Sequence, residues 1–313
     1  MKYPPTMNAT TPQQLIQPAA YEIAAHPEHP RLLKLTLNTD ALNAFLADVR
    51  DIDVQNLEYV PFMRFHLARR LKAHMGVDFG ETLVNIIRDR KHGGFVLGLE
   101  GVSQDSDDYV KFGTAIGHIL GPANHDSMSN KYYARFLVKH TDASDSYLRQ
   151  AYRLFTMHTD GTFVTEATDW LLMMKFDEQN AVGGESRFLH LDDWSELDCF
   201  VQDPLGAKPL LYKAPGSKNV NERVERPVFF HGEFGLSISF IDQFVQPAND
   251  AEAEYLQNLS ESMENSPGTR TVSLPAGDLV VLNNYFYVHG RAPFERNEQL
   301  HRELMRQRGT FAQ

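Results

Sequence analysis

A mainly β fold with added helices, closed as a β-sandwich or jelly roll, is what three features of this 313-residue sequence predict. Many short stretches alternate apolar with polar residues, turn residues separate them at short intervals, and no βαβ unit repeats along the chain. With 42% hydrophobic and 23% charged residues, the composition is that of a globular protein able to bury a sizeable core. The expected organisation is a flexible arm over 1–30, which holds six of the sixteen prolines, and a single domain over 31–313.

Leu32 to Leu37 alternates as a strand, and Asn38, Thr39 and Asp40 stand where they can cap a helix through ALNAFLADVR. The apolar spacing of FMRFHLARRLKAHM and GETLVNIIRD predicts further helices, a layer laid down before the main sheet. GGFVLGLEGV reads as a buried strand, and DDYVKFGTAIGHIL as a helix stopped by Gly121 and Pro122. YYARFLVKH and the stretch from Ala151 to Met157 return to strand. TDWLLMMKFDE and SRFLHL flank Gly183 and Gly184 and predict a hairpin, as do the two halves of TRTVSLPAGDLVVLNN around PAGD. Between the two pairs lie a short helix in SELDCFVQ, a long loop from Asp203 to Pro227 placed to act as a lid, strands in PVFFH and LSISFIDQFV, and an amphipathic helix in EAEYLQNLSESMENS.

The formal net charge of −11 argues against nucleic acid and anionic membrane surfaces as partners. Five arginines against three glutamates between His289 and Arg308 nevertheless make that end suited to a small organic anion. The one cysteine, Cys199, excludes an intramolecular disulfide and fits a cytoplasmic protein, with packing its expected role. No apolar run reaches the length of a transmembrane helix, and no continuous apolar leader opens the chain.

Candidate chemistry centres on AYRLFTMHTDGT, where His158 and Asp160 continue one side of a strand's alternation and can converge on one ion. The same His-x-Asp spacing occurs at His140/Asp142, in a polar loop, and at His190/Asp192, where Asp192 and Asp193 read as N-caps of the following helix. His289, placed between the apolar strand Leu279 to Leu282 and Arg291, supplies a second imidazole for the first pair. Two histidines and one carboxylate leave three open positions on an octahedral metal, the arrangement of non-haem Fe(II) oxygenases. Arg306 and Arg308 share one face of a terminal strand and are first choices for binding carboxylates, with Arg302 in reserve and Arg153, Lys175 and Arg291 as lesser candidates. The same ligands suit a Zn(II) or Mn(II) hydrolase or isomerase, or a small-anion sensor.

Nine motifs carry a resemblance that spans Arg31 to Phe311: YYARF, DSYLRQ, HTDGT, LMMKFDEQN, LHLDDW, SKNV, IDQFVQP, HGR and RELMRQRG. The chain resembles the glutarate 2-hydroxylases, the carbon-starvation-induced branch of the Fe(II)/2-oxoglutarate-dependent dioxygenases. The resemblance implies a double-stranded β-helix (jelly roll) core and a metal site at His158, Asp160 and His289. It also implies Fe(II), 2-oxoglutarate and O2 as cofactor and cosubstrates. The implied reaction takes glutarate to L-2-hydroxyglutarate with release of succinate and CO2, as in lysine degradation, on a homotetramer.

Overall fold

The computed structural model describes residues 20–140 and 150–312. Strands β1 (Tyr21–Ala25) and β2 (Leu33–Leu37) pair antiparallel at one edge of the main sheet. Helices α1 (Thr39–Asp48), α2 (Val54–Tyr59), α3 (Pro61–Met75) and α4 (Phe79–Arg88) follow. Asn38 caps α1 by accepting from Asp40 N and Ala41 N at 3.0 and 3.1 Å, and Pro61 opens α3, where its missing N–H costs nothing. Strand β3 (Gly94–Gly98) leads to α5 (Ser106–Leu120), capped by Asp105 and ended at Gly121.

Strands β4 (Ala134–Lys139), β5 (Phe155–His158), β6 (Trp170–Gln179) and β7 (Ser186–His190) come next. Short helices α6 (Leu197–Gln202) and α7 (Pro204–Ala207) precede β8 (Leu210–Lys213) and β9 (Arg223–Arg226). Then follow the hairpin β10 (Phe229–Gly232) and β11 (Gly235–Ile238), the short β12 (Val245–Gln246) and α8 (Asp250–Glu264). The chain closes with β13 (Arg270–Val272), β14 (Asp278–Asn283), β15 (Tyr287–Arg291) and β16 (His301–Gly309).

Two sheets face each other: a seven-stranded one, ordered β1-β2-β3-β14-β6-β16-β4, and a four-stranded one, ordered β13-β7-β15-β5. All six residues of β14 are buried because both faces of its sheet are covered. Leu279 and Val281 share a core with Leu83, Phe112 and Ile116 of the helical layer. Val280 and Leu282 turn the other way, to Phe188, Val288 and Leu259 between the sheets and under α8. Each such side chain contributes about 1.5–3 kcal/mol by leaving water.

Several expectations are corrected. Tyr21–Ala25, assigned to the arm, is an edge strand whose Tyr21 ring packs edge-on to Phe79 at 5.1 Å. Of the rest of the arm, residues 1–19 lie outside the described residues, whereas His26 and His29 are buried. Neither predicted hairpin forms. β6 and β7, and likewise β13 and β14, belong to different sheets, so each connection crosses between layers. Gly184, at φ +72, serves there a close approach to the Phe294 ring, which any Cβ would strike. The strand predicted from Ala151 is limited to β5, because only Phe155–His158 meets β15. The segment Asp203–Pro227, predicted as a loop, contains α7, β8 and β9. Cys199 is exposed rather than packed.

Candidate metal centre

The β5–β15 pairing sets His158 directly opposite His289, and the two imidazole rings lie 4.2 Å apart between centroids. The ladder shifts register between His289 and Arg291, a bulge of the kind that re-aims side chains beside functional sites. Beyond His158 the chain leaves the sheet, and Gly161, at φ +77, packs so tightly on Thr168 that no Cβ fits. That turn returns Asp160 to the histidines. Ligand atoms of His158, Asp160 and His289 all lie within 4.8 Å of one another, and all three residues are buried.

The hydrogen bonds around the cluster select its donor atoms. His158 Nδ1 donates to Thr156 O at 2.7 Å, which assigns the proton to Nδ1 and leaves Nε2 with its lone pair. Asp160 Oδ1 accepts from Arg306 Nη1 at 3.2 Å, whereas Asp160 Oδ2 is buried with no hydrogen-bond partner. Burial lowers the pKa of His158, and that of His289 well below its ordinary value. Burial would raise that of Asp160, but the Arg306 and Arg308 guanidinium groups outweigh it and hold the carboxyl below its usual range. Two neutral imidazoles and an ionised carboxylate form the state that a divalent cation requires, and an orphaned carboxylate oxygen is one it would satisfy. The residues therefore fit a two-His, one-carboxylate metal with open positions.

Two chambers flank the cluster and share Phe155, His158 and Arg306 as a common wall. The inner one adds His289, Arg291, Arg302, Phe136 and Met173; the outer one adds Asp160, Asp126, Arg308, Lys218, Phe163 and Phe244. Alternation along β16 turns Arg302, Arg306 and Arg308 to the same side, and the strand's length distributes them over the two chambers.

The three arginines are held differently. Arg306 is bound to Asp126 at 2.8 Å as well as to Asp160. Arg302 donates to Gly184 O, and its Nε lies 3.3 Å from Glu178. Burial first, and the like charge of Arg302 second, depress the Arg291 pKa to about 9. Arg308 is buried with Nε lacking a hydrogen-bond partner.

Of the lesser candidates, only Arg291 lines a chamber. Lys175 pairs with Glu178 at 2.7 Å, and Arg153 is exposed. Asp192 and Asp193 are not caps of α6; they pair with Arg90 and Arg31 from a 3-10 turn, Leu191–Asp193. Asp142 lies outside the described residues. Nothing local in the sequence marks Asp126 or Phe155, which line the outer chamber, and Lys218 is marked only by its place in the SKNV motif.

A family model described as CsiD matches residues 21–311. The glutarate 2-hydroxylase of Klebsiella pneumoniae (strain 342) is 44% identical over 306 residues, covering 96% of this chain and 94% of that protein. Among solved structures, an asparagine oxygenase in complex with Fe(II), 2S,3S-3-hydroxyasparagine and succinate superposes with a TM-score of 0.69 at 17% identity, covering 88% of this chain and 93% of the other. The non-haem iron oxygenase OrfP in complex with Fe and alpha-ketoglutaric acid gives 0.64 at 16% identity, covering 88% and 94%. The fold is thus shared with these oxygenases.

Proposed function

The chain belongs to the CsiD family, and from that membership and the buried cluster we propose that it is an Fe(II)- and 2-oxoglutarate-dependent dioxygenase acting on glutarate. The product is L-2-hydroxyglutarate, with succinate and CO2 released. The observation that carries this reading is the meeting of two arginine-bearing chambers at one His158–Asp160–His289 face. A reaction between two dicarboxylates at one metal needs two anion sites with a common wall. A hydrolase or a single-anion sensor needs only one.

His158, Asp160 and His289 would hold Fe(II), which supplies a redox-active centre for activating O2 as the 2-oxoacid is decarboxylated. The protein's own part is binding, orientation and exclusion of water. Arg302, with Arg291 beside it, holds the distal carboxylate of 2-oxoglutarate in the inner chamber, where burial strengthens a charge-assisted fork. Arg308 and Lys218 hold glutarate in the outer chamber, with Phe155, Phe163 and Phe244 against its methylenes. Arg306, occupied by Asp160 and Asp126, holds the ligand carboxylate rather than a distal one. We further propose, from the resemblance alone, a homotetramer in lysine and glutarate breakdown, and the exposed free Cys199 fits a reducing cytosol.

The test is incubation with Fe(II), ascorbate, 2-oxoglutarate and a panel of dicarboxylates. With glutarate, succinate and 2-hydroxyglutarate should form one for one. Coupling to a different diacid would replace the substrate; no metal-dependent succinate with any of them would remove the oxygenase reading.

A further inference from the structure

Asp160 must present one carboxylate oxygen to the histidine pair, yet it lies beyond the end of β5, where no ladder holds its backbone. A side chain from the other sheet takes the ladder's place. Asn284, directly after β14, accepts from the Asp160 N–H at Oδ1 and donates from Nδ2 to Asp160 O, both at 2.9 Å. The same Nδ2 donates to Thr168 O at 2.9 Å, and Asn284's own N–H donates to Asp169 O at 2.9 Å. Both peptide groups flanking the Asp160 Cα are thereby fixed by one buried carboxamide, and with them the direction of its Cα–Cβ bond.

We infer that Asn284 is a positioning residue for the metal ligand Asp160, an inference that rests on the metal-centre reading above. The amide chemistry is specific. One acceptor and two donors are needed together, and among uncharged side chains of this length only asparagine offers both. Aspartate would keep the acceptor but set an oxygen against two carbonyls. The segment also ties the ligands to one another, since Asn284 stands five residues before His289 in the β14–β15 connection.

The preceding residue is a built-in control. Asn283 is equally buried, donates to Ile87 O at 3.0 Å and accepts from Tyr285 N at 3.0 Å, and touches no ligand of the cluster. Anaerobic Co(II) titration, followed by visible absorption and by the metal-induced rise in Tm, separates the two roles. For Asn284→Asp, Co(II) affinity should fall about tenfold or more, as when other partners that orient a ligand are removed, with an altered absorption band. Asn283→Asp should stay within twofold of the native affinity, whatever its Tm.

The inference is overturned if Asn284→Asp matches the native affinity and spectrum, or if both variants lose affinity equally. Should Asn284→Asp fail to fold, Asn284→Ala replaces it. Failure of both to fold, while Asn283→Asp folds, would make Asn284 a fold residue and not a positioning one. Native protein that binds no Co(II) would remove the metal centre itself, a result distinct from native binding that the substitution leaves intact.

Discussion

The sheet that carries the metal cluster contains the same His-x-Asp motif twice, at the ends of β5 and β7, on either side of β15. At His190 both ring nitrogens are used: Nδ1 accepts from Asp192 N at 3.0 Å and Nε2 donates to Arg90 O at 2.8 Å. Its 3-10 turn sends Asp192 outward to Arg90 at 2.6 Å. At His158 the turn through Gly161 and the bonds from Asn284 send Asp160 inward, where one carboxylate oxygen is left unpartnered. Identical spacing thus gives a satisfied structural pair in one case and a candidate ligand pair in the other. The difference lies in which valences the fold leaves open.

The largest contrast should come from deleting the open pair. His158→Ala, Asp160→Ala and His289→Ala should each reduce coupled turnover to background and weaken Co(II) binding while keeping the native circular dichroism spectrum. Stoichiometric metal and full activity in His289→Ala would break the comparison outright.

Next in size are the arginines that give the first pair its ligands. Arg302→Ala should raise the KM for 2-oxoglutarate, and Arg308→Ala that for glutarate, each by ~30-fold or more, since removing one donor from a buried charged pair costs about 2–5 kcal/mol. Lys at either position keeps the charge without the fork and should recover only part. Arg90→Ala, on the second pair, should change neither KM. If Arg302 and Arg308 act on the same KM, the division into two chambers is wrong.

The second pair should act on stability instead, through pH. Burial lowers the His190 pKa to about 4, below its unfolded value near 6.5. Between those values the unfolded chain binds the proton and the folded one does not, so stability falls as pH drops through that window. From pH 7 to pH 5 the contribution is about 2 kcal/mol, and His190→Gln should flatten the pH dependence of denaturant unfolding by that amount. An unchanged slope would show that His190 takes up a proton while folded.

Smallest is Asp192→Ala. Its ion pairs with Arg90 and Arg31 are partly solvated, so the loss should not exceed about 1 kcal/mol, with metal affinity unchanged. A fall in metal affinity would mean that the two pairs communicate through β15.

Local physical signals in the sequence carried a good deal. Alternation and turn residues gave a mainly β fold, and apolar spacing with Asn38 and Gly121 at the ends gave α1 and α5. The three ligand candidates followed from side-chain type around strand ends, although only His158 ends its strand and His289 stands in the middle of β15. What only the tertiary structure decided is which strand lies beside which: β6 with β14 and β16, and β7 with β15, where the sequence suggested β6 with β7. An apolar alternation states that a strand has a buried face but not which sheet buries it. For the same reason the roles of Arg302, Arg306 and Arg308, indistinguishable by residue type, separate only when Asp126, Asp160 and Glu178 are brought against them from distant parts of the chain. Asn284 carries no mark at all in the sequence, because its partners are the backbone groups of Asp160 and Thr168, more than a hundred residues away.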